Sequence, residues 1–303
     1  MVDKPASIVD AHQHFWDLDR NYLPWLCDRE LVPFRYGDYT SIRRSYGIAD
    51  YREDTDGWPI TKSVYIEAGW DRADPVAETR WISGVAAATA LPSASVGWCD
   101  LAGPDAGEVL AAHAAFPIVR GIRQKPAAVD RPQDARRGAA GSMDDPAWRR
   151  GYALLAKHQF SFDLQTPWWH MDAAAELARD FPGTHIIVNH TALPSDRSAE
   201  GLHGWRRALE TVAAQPNVAI KISGLGRRNA PWTVEANGPI VRDTIAIFGV
   251  ERAMFASNYP VDRLAGTFDA IYSGFLAATA DRSGSERRKL FHDNAVRFYR
   301  LHG

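Results

Sequence analysis

The chain has 303 residues, a formal net charge of −2, 2 Cys and 11 Trp. At that length one large core can form without disulfides or a structural metal, and Cys27 and Cys99 make neither a disulfide framework nor a zinc knuckle. Near-zero charge argues against a nucleic-acid partner held by its phosphates, no apolar run reaches the roughly 20 residues of a membrane span, and Met1–Ile8 is too short and polar for a secretory signal. The expectation is a cytoplasmic protein with no nucleic-acid or membrane partner.

Eight short apolar runs rich in Val, Ile or Phe follow one another along the chain, as strands buried on both faces do. They are Ser7–Ala11, Ser63–Glu67, Ser95–Leu101, Pro117–Arg123, Phe160–Gln165, His185–Asn189, Asn217–Ile222 and Ala253–Ala256. Apolar residues three and four apart predict helices over Pro75–Thr89, Pro146–His158, Asp172–Phe181, Leu202–Ala214 and Pro239–Phe248, and a further helix over Ser285–Leu301. Eight strands alternating with helices over this length predict a (β/α)8 TIM barrel formed by a single domain, residues 1–303. A doubly wound open sheet is the second choice, weakened by the lack of a Gly-x-Gly-x-x-Gly turn after any strand. Two long connections, Phe15–Thr61 with short helices and Lys125–Asp145 with little periodicity, follow strands one and four and so belong to the catalytic face.

His12 and His14 are two apart at the end of the first strand, so both imidazoles turn toward one point, which suits a shared metal ion or an anion. Lys221 stands within an apolar strand and needs a partner or a polar cavity. Arg123 and Arg227 suit a substrate carboxylate or sulfonate through paired N–H donors, and Gln165 and His170 are expected pocket contacts. Asp163 shares a strand face with Gln165. No Gly-x-Ser-x-Gly elbow and no glycine-rich phosphate loop are present, which sets aside serine-hydrolase and nucleotide chemistry.

At the residue level the chain resembles a family. Asp10-Ala11-His12-Gln13-His14-Phe15-Trp16-Asp17 is similar to the opening of the amidohydrolase-related (amidohydrolase 2) proteins of the metal-dependent TIM-barrel superfamily. The branch it most resembles holds sugar lactonases and muconolactone-type lactonases. The resemblance continues through Ile66-Glu67-Ala68, Val96-Gly97-Trp98-Cys99-Asp100-Leu101, Arg120-Gly121-Ile122-Arg123-Gln124, Asn189-His190, Lys221-Ile222-Ser223-Gly224-Leu225 and Met254-Phe255-Ala256-Ser257-Asn258-Tyr259-Pro260. It implies an amidohydrolase-like barrel with catalytic roles for His12, His14, His190, Asp262 and Glu67, and with His12, His14 and Glu67 around one divalent ion, zinc in first place. For Glu67 the alternative is a salt bridge to an arginine.

One position departs from the pattern. Many relatives carry Ser-Asp-x-Pro after strand eight; here Asn258 takes the aspartate's place, and an amide is no general base and a poor ligand for a hydrolytic zinc. The metal is therefore expected to be bound, absent or dispensable, and Asp262, four residues on, either replaces the missing carboxylate or pairs with Arg263 or another arginine. The implied activity is hydrolysis of a small cyclic ester, anionic or sugar-derived, by activated water, with Arg123, Gln165, His170, Lys221, Arg227, Asn258, Trp16 and Trp70 against the substrate. Alternatives are a non-oxidative decarboxylase of an aromatic or unsaturated acid, and a catalytically inert ligand-binding barrel. A homo-oligomer is compatible with the sequence. Trp16, Trp70, Trp168, Trp169 and Trp232 fall in loops after strands one, two, five and seven and predict an aromatic mouth.

Overall fold

The computed structural model describes residues 3–301. Each of the eight apolar runs overlaps a strand: β1 (Ile8–Gln13), β2 (Ile60–Ile66), β3 (Ala94–Gly97), β4 (Val119–Ile122), β5 (Ser161–Leu164), β6 (Ile186–Val188), β7 (Val218–Ile222) and β8 (Ala253–Phe255). All seven sequential pairings are parallel, in the order β1 to β8. The first and last strands meet through the segment after β8. The His14 N–H donates to the Tyr259 carbonyl and the Asn258 N–H to the His12 carbonyl, each at 2.7 Å. Closure therefore runs through the two segments that carry the candidate chemistry.

The helices between strands start where short polar side chains cap them. Ser198 accepts from the Gly201 N–H, Thr233 from Ala236, Thr267 from Ala270 and Asp145 from Ala147. The Thr233 cap corrects one expected boundary. The helix spans Val234–Phe248, so Pro239 lies inside it rather than at its start. Two further helices, Ala106–Ala114 and Phe268–Ala278, carry no clear amphipathic stripe in sequence. In the second, seven of eleven residues are buried, as on a helix wrapped by neighbours on most sides.

Inside the barrel, Val9, Ala11, Val64, Ile66, Val96, Ile187, Ala219 and Met254 form one apolar cluster with Phe298, Tyr299 and Leu301 of the C-terminal segment. That segment, helical from Gly284 to Tyr299 with a π turn at Lys289–Asp293, plugs the N-terminal end of the barrel. The opposite end is covered by the loop after β1, with short helices at Pro24–Cys27 and Ile48–Asp54 and a backbone pair between Trp16 and Tyr46. Among the described residues no helix is long and apolar enough to cross a membrane.

Candidate active site

His12 and His14 leave β1 with their Nε2 atoms 3.2 Å apart. His14 Nδ1 lies 2.7 Å from the Ile66 carbonyl, which only accepts, so Nδ1 carries the proton and Nε2 is an acceptor. His12 Nε2 then donates to it, and His12 Nδ1 is left to accept from Lys221 Nζ at 3.4 Å. The Lys221 ammonium lies 2.5 Å from Asp163, both fully buried, and Tyr299 Oη donates to the same carboxylate oxygen at 2.8 Å. A hydrogen-bonded line thus runs from the C-terminal plug through the barrel axis to His14.

His190 packs against His12 at a tilt, ring centres 4.6 Å apart and planes at 46°, with its Nδ1 2.9 Å from Ser223 Oγ. It begins a run of four residues, His190–Leu193, with φ between 51° and 57°. Left-handed backbone in non-glycine residues costs about 1–2 kcal/mol each, and such strain gathers at functional sites. Asn258 (φ 56°) is left-handed too. Burial is the first cause holding all three imidazoles below their ordinary range. Lys221 adds to it at His12, Arg123 takes His14 to about 3, and Arg35 adds to it at His190. All three are neutral at physiological pH.

The two acidic candidates differ. Glu67 accepts from Arg123 Nε at 2.8 Å, Arg72 Nη2 at 3.1 Å and the Gly69 N–H at 3.0 Å. Burial opposes its ionisation, but Arg123 and Arg72 outweigh it and hold the carboxyl at about 2. This is the salt bridge foreseen as the alternative to metal ligation, and it occupies both oxygens. Asp262 is buried behind Asn258. It accepts from Asn258 Nδ2 at 2.6 Å and Tyr36 Oη at 2.8 Å, with Arg35 Nη2 at 4.0 Å. Burial raises its pKa against the opposing pull of Arg35.

A cavity of about 630 Å³ opens above these groups, lined by His14, Trp16, Glu67, Arg123, Gln165, His190 and Asn258 among the expected residues. His12 and Lys221 lie beneath it, and Asp262 behind its wall. Besides Lys221, three expected contacts do not line it. Arg227 is exposed in the loop after β7. His170 Nε2 instead accepts the Val129 N–H at 3.3 Å, tying the loop after β4 to that after β5. Trp70 packs on Trp81. The aromatic mouth is real but differently built, from Trp16, Trp25 and Trp98. Trp168 and Trp169 pack on each other, Trp169 donates to the Val129 carbonyl, and Trp232 packs on Phe275. Arg35, Arg72 and Lys125 also line the cavity; spacing alone gave no signal for them.

The donors do not fit a resident divalent ion. Two imidazoles converge, but among the described residues no group of three or more His, Cys, Asp and Glu side chains is set to hold a metal. Glu67 is spent on its arginines, Asn258 is an amide, and Lys221 and Arg123 place positive charge beside the histidines.

A sequence profile of the Amidohydrolase family matches residues 9–301. An uncharacterised protein of Sinorhizobium fredii is 43% identical over 97% of this chain and 99% of its own. An L-fucono-1,5-lactonase of Burkholderia ambifaria is 31% identical over 97% of this chain and 95% of its own. Among solved structures, an amidohydrolase of Burkholderia multivorans with bound zinc is 25% identical, with a TM-score of 0.78 over 97% of this chain and 99% of its own. Matched over nearly its whole length and carrying the histidine pair at the end of β1, the chain belongs to the amidohydrolase family.

Proposed function

We propose that the chain hydrolyses a lactone. The observation that carries this reading is a neutral histidine, His190, lining the same cavity as Arg123, a guanidinium fixed on three sides. The lactonase relative agrees with it. Arg123 has five N–H donors. One goes to Glu67 Oε1, one to the Glu67 carbonyl and one to Gln165 Oε1, leaving the others for a ligand oxygen.

In this mechanism the lactone lies against the tryptophan wall with its carbonyl oxygen on Arg123. With Nδ1–H donating to Ser223, His190 offers its Nε2 lone pair to a water. The water oxygen bonds to the carbonyl carbon as its proton passes to His190. Arg123 holds the negative charge that develops on oxygen. The ring C–O bond then breaks, and the departing alkoxide takes the proton back from His190, giving a hydroxy acid. His14 and Asn258 line the floor. His12, Lys221 and Asp163 fix the tautomers beneath it. We propose that these groups carry the reaction without zinc, because Lys221 and Arg123 place positive charge beside the histidines and Glu67 is held by its arginines.

A panel of five- and six-membered lactones, run with and without chelator, tests both parts. Expected are ring opening unaffected by chelator and a loss in kcat of about a hundredfold or more in His190→Gln. No turnover across the panel defeats the lactonase reading. Turnover abolished by chelator and restored by zinc defeats the metal-free mechanism alone.

A further inference from the structure

The cavity is lined by four cationic side chains, Arg35, Arg72, Arg123 and Lys125, and by one carboxylate, Glu67. That carboxylate is already committed to Arg123 and Arg72. Lys125 makes no ion pair or hydrogen bond among the described residues; the charge of Arg123 outweighs the pull of Glu67 on it, and Arg35 and Arg72 add to that repulsion. Arg35 reaches a carboxylate only at 4.0 Å, and that carboxylate, Asp262, already accepts from Tyr36 and Asn258. Two positive charges therefore face the cavity with no carboxylate closer than 4.0 Å among the described residues, an arrangement that costs energy until an anion enters.

Their placement is specific. Arg35 lies over the Tyr36 ring, 4.6 Å from its centre, which limits the guanidinium's freedom. A Cβ on Gly224 would meet His190 Cγ at 2.6 Å and Arg35 Nη2 at 2.7 Å, so the guanidinium sits beside the candidate base. Gly224 has φ +63° and bears no side chain, which leaves room for both. Lys125 stands just beyond β4 and lines the same cavity.

We propose that Arg35 and Lys125 form a carboxylate subsite, and that the substrate is a lactone bearing a carboxylate on its ring rather than a neutral sugar lactone. This rests on the lactonase reading for the ring and on the unpaired charges for the substituent. A planar carboxylate matches the guanidinium fork, with the ammonium as a second, movable donor. The ring lies between this subsite and the oxyanion donor Arg123, along the wall of Trp16, Trp25 and Trp98.

The test uses five- and six-membered lactones, each as the ring carboxylic acid and as its carboxamide, with calorimetric binding of the matching lactam acids. The acids are expected to exceed their carboxamides at least a hundredfold in kcat/KM. Lys125→Gln and Arg35→Gln should each cost the acids at least tenfold more than the carboxamides, mainly through KM. Acids and carboxamides turned over within threefold of each other, or variants that lower both equally, overturn the subsite and leave the lactonase intact. Lactam acids that bind the wild type at least tenfold more tightly than either variant, with no lactone opened, uphold the subsite and defeat the lactonase. Neither binding nor turnover defeats both.

Discussion

Glu67 shows how one side chain decides what a neighbouring site can do. Both of its oxygens are held by arginines, so it serves to fix Arg123 rather than to bind metal or move protons. Arg123 is only 4% exposed, and removing its counter-charge leaves a buried cation unpaired. Glu67→Gln is therefore expected to destabilise the fold by about 3–5 kcal/mol at neutral pH. The pH dependence has a definite sign. The folded carboxyl titrates at about 2, below its ordinary 4.5. The stability it contributes is fully present above that ordinary value and fades as pH falls through the folded one. Denaturant unfolding of wild type and variant should give curves whose separation is constant from pH 6 to 8 and narrows below about pH 4.5. A separation independent of pH would show that the pair's charge contributes nothing. Asn258 makes the converse point. It cannot supply a carboxylate, and by donating to Asp262 it keeps the nearest one behind the cavity wall.

At the scale of elements, the barrel strands were legible because each is a short apolar run bounded by polar residues. The histidine pair was legible because a strand's period of two points both rings one way. What could not be read were contacts made by long side chains across loops. Arg35 comes from the aromatic loop after β1 and Lys125 from beyond β4, and no spacing links them. Arg227 and His170 show the reverse. Each follows a strand on the catalytic side, yet one points to solvent and the other is used to pin a loop. Lys221, within an apolar strand, needs a partner, and that partner, Asp163 on β5, lies one strand beyond the neighbour of β7. The pair joins strands that are not neighbours, so its two single variants should behave unlike the double. Asp163→Asn strands the Lys221 ammonium in the core and is expected to cost about 3–5 kcal/mol. Asp163→Leu with Lys221→Met removes both charges and should recover most of that stability. Denaturant midpoints for the two variants check this; a double variant as unstable as Asp163→Asn would point to packing rather than charge.

The whole molecule separates stability from chemistry along the barrel axis. The loops over the C-terminal ends of the strands carry the cavity, while Gly284–Leu301 closes the other end. Ala295, Phe298, Tyr299 and Leu301 pack into the inner cluster, and Asn294 Nδ2 donates to the Val250 and Ala253 carbonyls at 2.7 Å each. Burying each large apolar side chain is worth about 1.5–3 kcal/mol, so three of them together rival the roughly 5–15 kcal/mol by which domains are stable. A chain ending at Lys289 is therefore expected to lose its cooperative melting transition and near-ultraviolet circular dichroism. Phe298→Ala is the graded version. It removes packing worth about 3–5 kcal/mol from the end of the barrel away from the cavity. It should lower the melting temperature by several degrees while kcat, measured well below the transition, stays within twofold of wild type. A large fall in kcat at unchanged melting temperature would mean that the plug acts on the histidines through Tyr299, Asp163 and Lys221, a hydrogen-bonded line that joins the two ends.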